Sequence, residues 1–227
     1  MKSAPVTRMP AQGAGFVVDS ALSVTYGPAP KQNSECAMPL SPPQPRQHFH
    51  TRAIDCKGYL RDDGLWDIEG HLEDHKSYGY ESRWRGQVQP YENIHDMWIR
   101  LTVDETFTVK DVEAVTDGSP YGACGKIVGN YRDIIGLRIG AGWVGAVRDK
   151  VGGIKGCTHQ MEILKVLATA AYQTIGSAKA RKLREQQGDS ERHWGKVWKF
   201  LINSCYAWSS TGDIVKQEFP EKYRGSN

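Results

Sequence analysis

The chain has 227 residues, of which 39% are hydrophobic and 24% are charged, a composition typical of a globular protein with one sizeable core. Its formal net charge is +3, and the 29 basic and 26 acidic residues are mixed along the chain, which argues against a dedicated nucleic-acid surface. The sequence has no apolar run of about 18 residues and no signal-peptide pattern at its N-terminus. We therefore expect a cytoplasmic protein with neither a nucleic-acid nor a membrane partner.

Residues 1–47 are rich in Pro, Ala, Ser and Gln and show no sustained period of a helix or strand. This composition predicts a flexible N-terminal extension. The alternative is an arm that docks on the domain or on a partner subunit. This arm could contain a short strand formed by Val17, Val18, Leu22, Val24 and Tyr26. A single α+β domain is expected over residues 51–210, followed by a C-terminal tail at 211–227.

Two β-hairpins are predicted in the first half of the domain. Residues 52–60 and 65–73 flank the turn Arg61-Asp62-Asp63-Gly64, in which Asp favours turn entry and Gly supplies a positive φ. Residues 95–103 and 107–116 form the second hairpin around 104–106. In residues 66–74 apolar and polar side chains alternate, so His71 is expected on a polar face and Asp74 on the packed one. His95 is expected on the apolar face with Met97.

Helices are predicted in the second half. A helix is predicted over residues 123–131, and a short amphipathic segment over residues 137–147. A glycine-rich turn at 152–156 is followed by a long predicted helix from Thr158 to Arg181. A second amphipathic helix with three tryptophans is expected over 194–208. The fold class is therefore α+β, with an antiparallel sheet of two hairpins packed against the long helix and shorter helices. The tryptophan-rich helix completes the core or makes an oligomer contact, and we expect a homodimer.

The segment from Gly152 to Glu162 brings a thiol, a hydroxyl, an imidazole and a carboxylate to the start of the long helix. One hypothesis is a zinc or iron–sulfur scaffold in which Cys157 and His159 bind the metal together with Cys56 and Cys124. Neither paired CxxC knuckles nor an HExxH motif is present. A second hypothesis is that Cys157 is a reactive nucleophile, because it lies at the positive end of the long helix. No Asn or Asp partner is evident in chain order, so a structural role is favoured for this thiol.

General acid–base chemistry requires the fewest assumptions. Histidines, carboxylates and cationic side chains are contributed by both hairpins and by the helical half, and burial or pairing brings such groups toward neutral pKa values. The sequence contains no phosphate-binding loop, dinucleotide fingerprint or GxSxG elbow. We therefore expect a reaction without a metal or organic cofactor.

Several segments carry a family resemblance. Residues 61–76, 95–104, Pro120-Tyr121 with Cys124, 136–143 and 153–159 together resemble the bacterial domain of unknown function 2889 family, and the match runs from about residue 51 to residue 175. The resemblance implies an association with aromatic catabolism, including lyases that remove formaldehyde from lignin-derived phenolic dimers. The expected partner is then an aromatic small-molecule substrate.

On this expectation the protein is a carbon–carbon lyase that works by acid–base chemistry. The candidate bases are His159 and His71, and the candidate charge stabilisers are Lys76 and Arg100. Substrate contacts are expected from His95, Trp98, Tyr121, Arg138, Trp143 and Glu162. The zinc or iron–sulfur scaffold and a non-catalytic small-molecule binding protein are the alternatives.

Overall fold

The computed structural model describes residues 40–187 and 201–225. The described residues from 47 onward belong to one compact unit. The predicted N-terminal extension falls mainly on residues 1–39, which lie outside the described residues. In the part of the chain that is described, no helix is long and apolar enough to cross a membrane.

An antiparallel sheet of four long strands forms the centre of the fold and confirms the α+β prediction. The strands are β1 His50–Leu60, β2 Trp66–Lys76, β3 Tyr80–Ser82, β4 Gly86–Val88, β5 Asn93–Val103 and β6 Val109–Gly118. The strand order of the large sheet is β1-β2-β5-β6, and β3 and β4 form a separate two-stranded hairpin between β2 and β5 in sequence. The sequence predicted both long hairpins but not the β3–β4 hairpin.

The two faces of the sheet differ as the alternation predicts. Even-numbered residues of β2 from Trp66 to Asp74 are buried, and the odd-numbered residues are only half-buried. We call the buried side the covered face and the other side the open face. The apolar core lies on the covered face and is formed mainly by Ile68, Leu72, Met97, Ile99, Leu101, Val112, Ile163, Leu164 and Leu167.

The helical half of the chain packs on one side of the sheet, mainly through the helix that begins at Thr158. The described α-helices are α1 Trp143–Val151, α2 Thr158–Ala171, α3 Ser177–Gln187 and α4 Asp213–Glu218, and 3-10 helices span Cys124–Ile134, Gly153–Lys155 and Pro220–Lys222. The predicted α-helix at 123–131 is therefore a 3-10 helix, and the amphipathic segment expected at 137–147 becomes helical only at Trp143. The long helix begins at Thr158 as predicted, but a π-helical turn at Tyr172–Gly176 separates α2 from α3.

Two glycines allow the helices to approach the sheet closely. A Cβ atom at Gly70 of β2 would overlap Ile163 and Leu167 of α2, and one at Gly58 of β1 would overlap Thr174. The α2 helix therefore packs directly on the backbone of the first hairpin, and its N-terminus lies over one end of the sheet.

The predicted tryptophan helix at 194–208 lies partly outside the described residues. From residue 202 to residue 212 the chain forms turns, closed by a bond from the Asn203 N–H to the Trp208 carbonyl. The helix prediction is therefore wrong over 202–208. Within the predicted C-terminal tail, α4 is helical and Val215 is fully buried.

Candidate active site

Polar groups gather at one end of the covered face. At this end β1 and β5 begin and β2 and β6 end, because neighbouring strands are antiparallel. The register places Asp74 of β2 opposite Arg52 of β1 on one side and opposite His95 of β5 on the other. The start of α2 adds His159 to this row. We call Arg52, Asp74, His95 and His159 the histidine cluster.

Asp74 is the buried centre of the histidine cluster. Its side chain is only 3% exposed, and Arg52 donates from Nε and a terminal nitrogen to its two oxygens at 2.8 and 2.7 Å. His50 Nε2 lies 3.2 Å from the same carboxylate. Burial acts to raise the pKa of Asp74, but the hydrogen bonds and charge of Arg52, together with His95, hold this pKa below its ordinary value. Asp74 is therefore ionised at neutral pH.

The two imidazoles of the cluster are in contact. The rings of His95 and His159 stack with centroids 3.6 Å apart, and their side chains are 14% and 23% exposed. Burial, together with the charges of Arg52 and Arg85, lowers the pKa of His95. These effects outweigh the opposing effect of Asp74. Burial, His95 and Arg52 likewise lower the pKa of His159. Both imidazoles are therefore neutral at pH 7 and able to accept a proton.

Asp74 fixes the orientation of one imidazole. His95 Nδ1 lies 2.9 Å from an Asp74 oxygen, and an ionised carboxylate only accepts hydrogen bonds. We therefore assign the proton of neutral His95 to Nδ1, which leaves a lone pair on Nε2. His159 Nε2 is 3.8 Å from Asp74, beyond hydrogen-bond distance, so His159 is the less constrained of the two bases.

Cys157 extends the site along the start of α2. Its Sγ atom lies 3.6 Å from His159 Nδ1 and 3.8 Å from Met97 Sδ. Its backbone N–H donates to the hydroxyl of Tyr131 at 2.9 Å, and burial raises the pKa of Tyr131 to about 12. The buried phenol therefore anchors the turn that carries the thiol and His159.

The open face carries a different group of predicted site residues. His71 stacks on Trp98 with centroids 3.6 Å apart and lies 2.8 Å from an Asp96 oxygen through Nε2. Arg100 donates to Glu69 and Glu113 at 2.8 and 2.7 Å. Because side chains alternate along β2 and β5, the structure places His71, Trp98 and Arg100 on the opposite side of the sheet from His159. A shallow depression of about 280 Å³ lies on this open face, lined by Trp98, Arg100, Glu113, Val115 and Asp117.

Two predicted site residues lie at the same end of the sheet as the histidine cluster. Lys76 ends β2, and its ammonium group sits 4.4 Å from the centre of the Tyr80 ring. Tyr121 follows β6 and meets Trp84 edge-on at 6.2 Å. Both side chains therefore belong to the surroundings of the cluster, without a direct bond to it.

The remaining predicted contacts have structural partners. Trp143 is buried in the core, where its indole N–H donates to the Leu164 carbonyl at 3.0 Å. Arg138 donates to the Thr106 carbonyl at 2.9 Å. Glu162 lies one turn after His159 and accepts a hydrogen bond from Lys165 of its own helix at 2.7 Å.

Two groups of side chains offer possible metal ligands. In residues 40–187 and 201–225, ligating atoms lie within 4.8 Å of one another in Asp74, His95 and His159 and in His71, Glu73 and Asp96. Neither group contains a cysteine, so the structure does not bring Cys56, Cys124, Cys157 and His159 together as a ligand set. In the first group a cation would compete with Arg52 for Asp74, since Arg52 already binds both carboxylate oxygens.

In the second group the carboxylates also have a partner. Asn93 Nδ2 donates to Glu73 at 2.8 Å and to Asp96 at 3.2 Å. The amide therefore occupies the space between the two carboxylates. The carboxylates of both groups therefore already have hydrogen-bond partners, and the first group has the arrangement that acid–base chemistry requires.

Sequence reasoning missed two members of the site, Arg52 and His50. The first turn could have revealed Arg52. It pairs Leu60 with Trp66, and the same antiparallel register continued along both strands places Arg52 opposite Asp74. Gly64 has a φ of +82°, as the turn prediction required. The position of His159 beside this pair follows only from tertiary packing of α2.

The model of the family described as "Protein of unknown function (DUF2889)" matches residues 50–173, which is more than half of the chain. The chain belongs to this family. No curated protein and no solved structure matches it. The match spans every residue of the histidine cluster.

Proposed function

We propose that this DUF2889 member is an acid–base enzyme whose reaction takes place at the histidine cluster. The observation that carries the proposal is the stack of the His95 and His159 imidazoles beside the buried Asp74. Asp74 orients His95 through Nδ1, and His159 is the more exposed imidazole. We assign the role of general base to His159.

The proposed reaction is a carbon–carbon cleavage that releases formaldehyde from a phenolic small molecule. His159 takes the proton of a primary alcohol, and the alcohol oxygen becomes the carbonyl oxygen of formaldehyde. The electron pair of the broken bond passes to the conjugated aromatic part of the substrate, where it expels a leaving group or is protonated. All these steps are proton transfers and bond shifts, so they proceed without a metal or organic cofactor.

Aromatic side chains near the cluster support an aromatic substrate. They lie before β1, around the β3–β4 hairpin and after β6, all at the end of the sheet where the cluster lies. Large rings with at least 40% of their surface exposed in these segments are Phe49, Tyr78, Trp84, Tyr91 and Tyr121. Exposed rings bind planar ligands by stacking and edge contacts. A homodimer and a cytoplasmic location complete the proposal.

The test measures formaldehyde release from a phenolic diaryl compound that carries a primary alcohol. Wild type is compared with His159→Gln and with the control His75→Gln, whose ring meets Tyr91 on the open-face side of β2. Loss of a general base lowers the rate by about 10²–10⁴-fold, so His159→Gln should fall by this factor while His75→Gln stays near wild type. Equal rates in wild type and His159→Gln would remove His159 from the mechanism.

The same preparations separate the two alternative functions. A stoichiometric metal in wild type that is lost in His159→Gln would favour a metal-binding protein built on Asp74, His95 and His159, whose ligating atoms converge. Binding of the phenolic compound without any formaldehyde release would favour a non-catalytic binding protein. Catalysis with full activity in the presence of a chelator supports the acid–base enzyme.

A further inference from the structure

A thiol, an imidazole and a carboxylate form a continuous row at the start of α2. Cys157 Sγ is 3.6 Å from His159 Nδ1, and His159 Nε2 is 3.8 Å from an Asp74 oxygen. The sequence contains no Asn or Asp near Cys157 to suggest this arrangement. The third member comes from β2, more than 80 residues earlier in the chain. The row has the order of nucleophile, base and orienting acid.

The two nitrogens of His159 have different surroundings. A proton on Nε2 is favoured by the ionised Asp74, even though their separation is longer than a hydrogen bond. In that tautomer Nδ1 carries a lone pair that faces the Cys157 thiol. His159 is therefore placed to accept the thiol proton and to hold it as a cation near Asp74.

The backbone presents Cys157 at the start of a helix. Cys157 immediately precedes α2, a helix of 14 residues with no acidic residue in its first turn. The positive end of the helix dipole lies at this point. The turn itself is held by the bond from the Cys157 N–H to Tyr131 and by the bond from the Met161 N–H to the Cys157 carbonyl. The thiol is thus presented by a fixed backbone.

We propose that Cys157 is a nucleophile that adds to the carbonyl carbon of small aldehydes, with His159 as its base. In this step the S–H bond breaks, His159 accepts the proton, and sulfur forms a bond to the carbonyl carbon. The carbonyl π electrons move to oxygen, which takes the proton back from His159 to give a hemithioacetal. No oxidant or reductant is required. This covalent activity goes beyond the lyase reaction, although both steps use His159 as the base.

Cys124 and Cys56 differ from Cys157 in their surroundings. All three are partly buried, but of these only Cys157 has a histidine in contact among the described residues. Burial raises the pKa of the Cys56 thiol and lowers its reactivity. Cys124 starts the 3-10 helix at Cys124–Ile134 and serves as the matched control, because its exposure class is the same as that of Cys157.

The test follows alkylation of the folded full-length chain by iodoacetamide at neutral pH, with each cysteine resolved by peptide mass spectrometry. We expect Cys157 to react about tenfold faster than Cys124, because the adjacent His159 imidazole accepts the thiol proton as sulfur attacks. In His159→Gln this advantage should disappear. Pre-incubation with formaldehyde should slow the alkylation of Cys157 and leave Cys124 unchanged.

A Cys157 that reacts no faster than Cys124, or one whose rate is the same in wild type and His159→Gln, would overturn the proposal. If Cys124 is alkylated at the same rate in His159→Gln as in wild type, the variant is folded. If the Cys124 rate changes, the variant His159→Asn is used instead of His159→Gln. Alkylation of Cys157 at an unchanged rate after pre-incubation with formaldehyde would also overturn the proposal. Because no phenolic substrate takes part, a failed lyase assay and a failed thiol assay are distinguishable.

Discussion

The two faces of the sheet carry the same pair of residue types in different environments. On the covered face His95 contacts Asp74 at 2.9 Å, and on the open face His71 contacts Asp96 at 2.8 Å. The carboxylate is 3% exposed in the first pair and 26% exposed in the second. The covered pair also has Arg52 and a second imidazole, whereas the open pair has the indole of Trp98.

This difference shows that the environment decides what a histidine–carboxylate pair does. A buried carboxylate held ionised by Arg52 creates a strong local field, since a protein interior screens charge poorly. The neighbouring imidazoles stay neutral because burial penalises their charged form. On the open face the carboxylate is more exposed to water, and stacking on Trp98 gives His71 a structural partner. We therefore locate the chemistry on the covered face.

The largest effect is expected for the carboxylate at the centre of the cluster. Asp74→Asn leaves Arg52 without its counter-charge and His95 without its orienting acceptor, so the free energy of unfolding should fall by about 2–3 kcal/mol. Formaldehyde release should fall by about a hundredfold. Urea unfolding and the rate assay check both numbers.

The matched open-face variant is Asp96→Asn. Its effect on unfolding should stay below about 1 kcal/mol, as for a partly exposed ion pair. If Asp96→Asn were as destabilising as Asp74→Asn, burial would not be what separates the two faces.

A second prediction concerns the packing that brings α2 over the sheet. Gly70→Ala places a methyl group where Ile163 and Leu167 already lie, so overpacking should lower the free energy of unfolding by about 1–3 kcal/mol. Thermal or urea denaturation measures the change. Gly64→Ala tests a different cause, because this residue has open space around it and only its positive φ of +82° opposes a side chain. An unchanged stability in Gly70→Ala would contradict the close helix–sheet contact.

The third prediction is the pH dependence of the rate. The proposed base works in its neutral form, and its pKa is lowered from an ordinary value of 6.5. Activity should therefore be constant above pH 6.5 and fall by about tenfold per pH unit only below the lowered pKa. A profile of kcat/KM between pH 4.5 and 8 measures the midpoint of this fall in activity. A midpoint above pH 6.5 would contradict the assignment of His159 as the base.

The same shifts have a consequence for stability. The unfolded chain binds protons at His95 and His159 below their ordinary pKa of 6.5, whereas the folded chain binds them only at lower pH. Their contribution to stability is therefore present above pH 6.5 and is lost as the pH falls toward the folded values.

The smallest effects are expected for the site residues that the structure places on the open face. His71→Gln and Arg100→Gln should each change the rate of formaldehyde release by less than about twofold, because neither side chain contacts the histidine cluster. A loss of a hundredfold in either variant would return the reaction centre to the open face, next to the depression at Trp98.

Part of this arrangement is readable from the sequence, and the limits have physical causes. Alternation in β2 fixes which face Asp74 and His71 occupy, and the Gly64 turn fixes the pairing of Asp74 with Arg52. The pairing of β2 with β5 spans the 77–92 insertion and a bulge near Asp74, so no turn sets the register that brings His95 to Asp74.

The helical half is less predictable for a related reason. The start of α2 follows from the glycine-rich turn, but its position over Asp74 depends on the contact with Gly70 across the core. The 3-10 form of Cys124–Ile134 and the π turn at Tyr172–Gly176 have no period that the pattern of apolar residues reveals. Cys157 and His159 were therefore visible as reactive groups, but their carboxylate partner was not.

The most direct test of the account is an NMR titration of the histidine ring nitrogens in the folded protein. We expect His95 and His159 to titrate below pH 6.5, with the proton of neutral His95 on Nδ1. A titration of either ring at or above pH 6.5, or a neutral His95 protonated on Nε2, would contradict the claim that the covered face holds two neutral bases oriented by Asp74.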